Sequence, residues 1–324
     1  MPDSNRSEKF YRRSLRTSFF LVLFLVLIGG VVRSTGAGMG CPDWPKCFGL
    51  WIPPVSISEI PAEFWNHPLS SENGKVIFNP VKTWTEYLNR LLGVLIGFSI
   101  LVQAVSSLFQ KGKKLSVFYS MASLILVLFQ GWLGSRVVSS DLKPFIISIH
   151  LLVALVIALS ILSALFFASK RRTSISAFPK HPYSNLVLYG TGLVIMVQFV
   201  FGTEVRSQVD SLFREFDFGS RSLYVERLDW KFLFHRSFST LALLFMILQP
   251  VLFVKQLPVE NSWISFFPLL LAVVLMISGY FLVSLGFPAF LQPFHLLLGF
   301  SIVCSQFWLF LHLKFLRSLS NISA

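Results

Sequence analysis

The segment whose reading decides the fold is "WTEYLNRLLGVLIGF", Trp84–Phe98. Its apolar residues run on well past the length of a strand, so it reads as a helix entering lipid. Yet an acid, an amide and a base stand together near its start. Glu86 and Asn89 are three residues apart, and Glu86 and Arg90 four, so all three share one helix face. A second segment, "FLFHRSFSTLALLF", Phe232–Phe245, repeats the layout with His235 where the first has Asn89.

Outward from these segments the chain is apolar throughout. Of its 324 residues 54% are hydrophobic and 13% charged, against roughly 25% charged in soluble domains. Mean hydropathy is +0.68. Eight apolar runs are expected to span the membrane: Ser18–Val32, Trp84–Phe109, Leu115–Val138, Phe145–Ala168, Ser184–Val205, Phe232–Val254, Trp263–Leu285 and Pro288–Leu311. "TGAGMG" is a poor signal-peptidase site, so the first run is expected to stay as a span. The fold class is therefore an all-α integral membrane protein.

The net charge of +13 does not indicate nucleic acid. The excess base lies in short segments beside the spans: Lys9, Arg12, Arg13 and Arg16; Lys111, Lys113 and Lys114; Lys170, Arg171, Arg172 and Lys180; Lys255; Lys314 and Arg317. The positive-inside rule puts these segments, and both termini, on the cytoplasmic side. The opposite face carries two longer loops of mixed charge, Arg33–Thr83 and Arg206–Lys231.

The two halves repeat in register. "GGVVRS" matches "GTEVRS", pairing Arg33 with Arg206. "LNRLLGVL" matches "FHRSFSTL", pairing Asn89 with His235 and Arg90 with Arg236. "IISIHLLVAL" matches "LQPFHLLLGF", pairing His150 with His295. Four spans per half predict two four-helix bundles as parallel repeats, unlike the inverted repeats of many transporters. The expected organisation is a cytoplasmic segment 1–17, an N-terminal half 18–168, a linker 169–183 and a C-terminal half 184–324.

Asn89, His150, His235 and His295 all fall early in spans that run from outside to inside, about 7 Å into the helix at 1.5 Å per residue. Histidine inside a membrane is costly and by default functional, although a single one can simply bond across helices. Two imidazoles on facing helices, His235 and His295, are what a six-coordinate haem requires. The first half keeps only His150, because Asn89 is a poor iron ligand, so a haem there would have one face open or weakly ligated. Glu86 beside that face is either an acid/base group or the partner of Arg90. Arg33, Arg90, Arg206 and Arg236 lie in or near the same layer and are candidates for haem carboxylates, with interfacial snorkelling as the plainer role.

These motifs in this order, "GGVVRSTGAGMGCPDWPKCFGLWIPP", "WTEYLNRLLGVLIGF", "QGWLGSRVVSS", "IISIHLLVAL", "FHRSFSTLALL" and "PFHLLLGF", resemble the haem A synthases of cytochrome oxidase assembly over nearly the whole chain. The resemblance implies one b-type haem in the C-terminal half, held by His235 and His295. It implies that the N-terminal half takes up haem O and oxidises its C8 methyl group to a formyl group, with Glu86 needed for the oxidation. The family has Glu-x-x-His on the second span; here Asn89 stands in place of that histidine, leaving His150 as the matched ligand. Cys41 and Cys47, in "CPDWPKC", are expected as a disulfide on an oxidising face, either redox-active or shaping a lid. The implied setting is the bacterial cytoplasmic membrane with haem sites near the outer face. The implied partners are membrane lipid, haem O and an electron donor the sequence does not name, with haem O synthase and self-association as further candidates.

Cys304 is expected in the core, His67 and His181 in loops, and His312 away from the layer. Two other classes compete. A cytochrome b passing electrons from quinol to a partner has no use for Glu86. A transporter would hold its polar groups at the bilayer midplane.

Overall fold

A computed structural model of the chain describes residues 4–65, 71–72, 75–76, 78–169, 182–215 and 224–322. Eight helices among them are long and apolar enough to cross a membrane. They are α1 (Ser4–Ser34), α2 (Pro80–Leu108), α3 (Lys114–Ser139), α4 (Pro144–Ala168), α5 (Ser184–Glu215), α6 (Trp230–Phe253), α7 (Phe267–Ser284) and α8 (Leu291–Ile322). The protein is an all-helical integral membrane protein; among the described residues the strands amount to one hairpin, Ser71–Glu72 with Lys75–Val76.

Local chemistry sets the helix ends. Asn79 caps α2 by accepting the Lys82 backbone N–H at 3.1 Å, with Pro80 in the first turn. That turn starts α2 ahead of the expected Trp84, because Asn-Pro satisfies one free N–H and removes another. Asp229 caps α6 by accepting from the Lys231 N–H at 2.8 Å. α1 begins at Ser4 rather than Ser18, since no proline or glycine interrupts the basic segment ahead of the apolar run. α7 starts late, at Phe267, after a 3₁₀ turn over Val259–Ser265, where Pro268 fits the first helical turn.

The chain forms two compact units, Met1–Ser169 and Lys170–Ala324. In the first, α1 packs on α2, α2 on α3, α3 on α4 and α4 back on α1. In the second, α5 packs on α6, α6 on α7, α7 on α8 and α8 back on α5. Their inter-helix turns match as well. After α3, Asp141 and Leu142 take positive φ, with the Leu142 N–H donating to the Val137 carbonyl. After α7, Gly286 and Phe287 take positive φ, with the Phe287 N–H donating to the Leu282 carbonyl. Both are left-handed helix caps that turn the chain sharply into the next span.

Lipid solvates apolar side chains as well as a protein core does, so polar contacts mark the helix seams. In the first unit the Tyr11 hydroxyl of α1 reaches Ser116 and Ser120 of α3 at 2.8 and 2.7 Å. Ser116 in turn donates to the Ala164 carbonyl of α4 at 2.8 Å. Ser18 bonds Ser99, and Gln103 bonds Ser123, each at 2.8 Å. In the second unit Gln249 of α6 donates to Gln306 of α8 at 2.8 Å. Such bonds contribute on the order of 0.6 kcal/mol each, enough together to fix which faces meet.

Candidate functional site

In the second unit His235 lies in α6 and His295 in α8, within electrostatic reach of each other. Each ring is backed by a glycine of a neighbouring helix. A Cβ on Gly202 of α5 would stand 3.2 Å from His235 Cε1, and one on Gly279 of α7 would stand 3.2 Å from His295 Cε1. Both contacts are closer than most Cβ atoms make, so a side chain there would press the imidazole aside by a few tenths of an ångström. Ser278 Oγ hydrogen-bonds His295 Nδ1 at 2.8 Å, which fixes the ring and leaves Nε2 for a ligand. Gln198 Nε2 donates to the His235 carbonyl at 2.7 Å, while His235 Nδ1 is buried without a partner.

The first unit repeats half of this arrangement. His150 in α4 is backed by Gly134 of α3, where a Cβ would stand 3.6 Å from His150 Cε1. Gln130 Nε2 donates to the His150 carbonyl at 2.9 Å, and His150 Nδ1 is buried without a partner. Asn89 in α2 occupies the place of His235, and its Oδ1 is also buried and unpartnered.

Three residues before that position the units part chemically. The first has Glu86, 4% exposed; the second has Phe232, 6% exposed. Both side chains are covered by the arginine four residues later. Arg90 pairs with Glu86 as an ion pair, whereas the Arg236 guanidinium lies 5.8 Å from the centroid of the Phe232 ring.

Glu86 and Arg90 are also bound to the loop between α1 and α2. Glu86 Oε2 accepts the Cys41 N–H at 2.8 Å. Arg90 spends all five of its N–H donors: Nε and one on Nη2 go to Glu86, the other on Nη2 to the Cys41 carbonyl, and the two on Nη1 to the carbonyls of Asp43 and Lys46. None is left for a haem carboxylate. Thr83 Oγ1 adds a bond to the Gly40 carbonyl at 2.8 Å, and the Tyr87 hydroxyl reaches the Trp51 carbonyl.

Cys41 and Cys47 form a disulfide inside this loop. They are buried with Phe48, Ile60 and Phe64, and Phe78 and Tyr87 pack against the cluster. The loop is thus a small folded cap with its own core, set on the N-terminal turns of α2.

The remaining arginines differ. Arg206 Nε bonds Asp210 at 3.0 Å, and its Nη2 is buried without a partner. Arg33 ends α1 and is engaged in contacts of its own. Cys304 is buried, and His312 Nδ1 is bonded within its own helix to the Trp308 carbonyl at 2.9 Å. His67 and His181 lie outside the described residues. The sequence reading passed over Gly134, Gly202, Gly279, Gln130, Gln198 and Ser278. One signal could have found two of them: Gly134 precedes His150 by the same interval as Gly279 precedes His295.

A family model described as cytochrome oxidase assembly protein (COX15-CtaA) matches residues 12–307. Among curated proteins, a heme A synthase of Shewanella oneidensis is 32% identical over 145 residues, 43% of this chain and 39% of that protein. A heme A synthase of Orientia tsutsugamushi (strain Ikeda) is 32% identical over 156 residues, 44% of this chain and 43% of that one. A heme A synthase of Ehrlichia canis is 29% identical over 195 residues, 57% of this chain and 56% of that one. The matches span less than two thirds of these relatives' own length.

Proposed function

The chain belongs to the cytochrome oxidase assembly family, COX15-CtaA, and from that premise we propose that it is a haem A synthase, oxidising the C8 methyl group of haem O to a formyl group. The reading is carried by one observation. At equivalent helix positions a buried carboxylate, Glu86, stands in the unit where His150 faces Asn89, and a buried Phe232 stands in the unit that carries the His235 and His295 pair. A reactive acid beside a partly open haem face, and an inert ring beside a closed one, divide the units into a substrate site and a cofactor site.

The residues present suit a haem. His235 and His295 would hold a b-type haem, which supplies electron transfer when bound with both axial positions filled. Gly202 and Gly279 let the imidazoles lie close against neighbouring backbone. Ser278 holds His295 in one orientation. The unpartnered Arg206 Nη2 and the outward Arg236 are available to propionates. In the first unit His150 would hold the substrate haem from one side, with Asn89 on the other.

Glu86 acts next to that site. Its Oε2 holds the cap through the Cys41 N–H, and its ion pair with Arg90 keeps a carboxylate in a place poor in water. A fixed negative charge there can stabilise positive charge developing on a substrate carbon, or accept its proton. The cap covers Thr83 and Glu86 in the first turns of α2. The setting proposed is a bacterial cytoplasmic membrane with these sites toward the outer face, and an electron donor meeting the second unit's haem.

The test is haem extraction from cells expressing the chain with a source of haem O. Haem A is expected with the wild type and is expected to be lost in Glu86→Gln, while the low-spin spectrum of the second unit persists in both. Haem B alone in both, with that spectrum intact, overturns the synthase reading in favour of an electron-transferring cytochrome b.

A further inference from the structure

Four positions make up the two histidine layers, and three of them hold an imidazole against a glycine. The fourth keeps its glycine without the imidazole. Gly29 of α1 matches Gly202 of α5 through "GGVVRS" and "GTEVRS", as Asn89 matches His235. At Gly134, Gly202 and Gly279 an added Cβ would meet a histidine ring at 3.6, 3.2 and 3.2 Å; at Gly29 it would meet no atom within 4 Å. α1 and α2 pack on each other as α5 and α6 do. Asn89 Oδ1 is buried with no hydrogen-bond partner.

A buried acceptor left unpaired costs about 1–3 kcal/mol, so Asn89 is a poor choice for a position that only fills space; leucine or alanine would avoid the cost. A buried amide oxygen with no partner, together with open space at the glycine matched to Gly202, suits a small hydrogen-bond donor. We propose that the first unit retains a complete second axial-ligand cradle, vacated by Asn89. Gly29 leaves the room, and the Asn89 amide receives a small exchangeable donor ligand such as water on the side of the haem opposite His150. Asn89 is then a positioning residue that keeps the sixth iron position open to exchange rather than closed by protein.

The inference rests on the first unit being a haem site, and not on the reaction carried out there. Two variants and one probe test it, on the purified full-length chain loaded with haem, with haem counted per chain. The wild type is expected to hold two haems, one low-spin and one high-spin, and added imidazole is expected to convert the high-spin component to low-spin. In Asn89→His the second haem is expected to be low-spin without imidazole, and the imidazole response is lost. Adding Gly29→Val to Asn89→His is expected to restore the high-spin component, because the valine fills the space the new ring needs. Two haems per chain that are both low-spin in the wild type and indifferent to imidazole overturn the inference while leaving the site a haem site. So does an Asn89→His chain whose second haem stays high-spin. One haem per chain, low-spin, overturns the first-unit haem site itself and the inference with it.

Discussion

At the scale of single residues, the histidines are meaningful because of what stands behind them. An imidazole in a membrane helix binds iron through one ring nitrogen, and a partner on the other holds the ring in place. Ser278 does the holding for His295. Outer partners of this kind typically account for 10–100-fold in ligand affinity. Ser278→Ala is therefore expected to lower haem retention in the second unit by roughly tenfold, read as loss of the low-spin band on detergent dilution. A shift of its reduction potential should accompany the loss, whereas a purely structural serine would leave the potential unchanged. Gly202→Val pushes a side chain into His235 and should abolish that band with the protein still extractable as a folded species.

At the scale of elements, the cap and α2 are one device. Glu86 and Arg90 were legible as a pair from their spacing. What Arg90 does with its remaining donors was not, because backbone carbonyls carry no side-chain signature in sequence. The side chains of Arg90 and Glu86 are 13% and 5% exposed, and removing one member of a buried pair costs on the order of 3–5 kcal/mol. Arg90→Ala is expected to destabilise the first unit by roughly 3 kcal/mol, seen as a lower thermal midpoint, while the second unit's haem spectrum is unaltered. Gly40 gives an independent check. A Cβ there would stand 2.5 Å from the Lys82 carbonyl oxygen, so Gly40→Ala must lift the cap from α2 and should make Cys41 and Cys47 more easily reduced. An unchanged rate of thiol labelling under mild reductant would show that the cap does not depend on that close approach.

At the scale of the molecule, the eight helices follow from the solvent. A bilayer accepts only segments that satisfy their own backbone hydrogen bonds, so long apolar runs had to become spans, and the basic segments between them set the expected orientation. Reporter fusions at the C-terminus and after α4 are expected to be active only when cytoplasmic. A fusion in the loop between α1 and α2 is expected to be active only when outside. The opposite result at the C-terminus would reverse the orientation and put the cap on the reducing side, where its disulfide would not persist.

The sequence by itself determined the number of spans and the positions of Asn89, His150, His235 and His295 along them, because each rests on hydropathy or on spacing along one helix. It could not decide that Arg90 would be consumed by the cap, that glycines from neighbouring helices would back the histidines, or that Gly29 would face open space. Those depend on which helix faces meet and how closely, and lipid, which solvates every apolar face alike, leaves that choice to a few polar and small-residue contacts that form only when the helices pack.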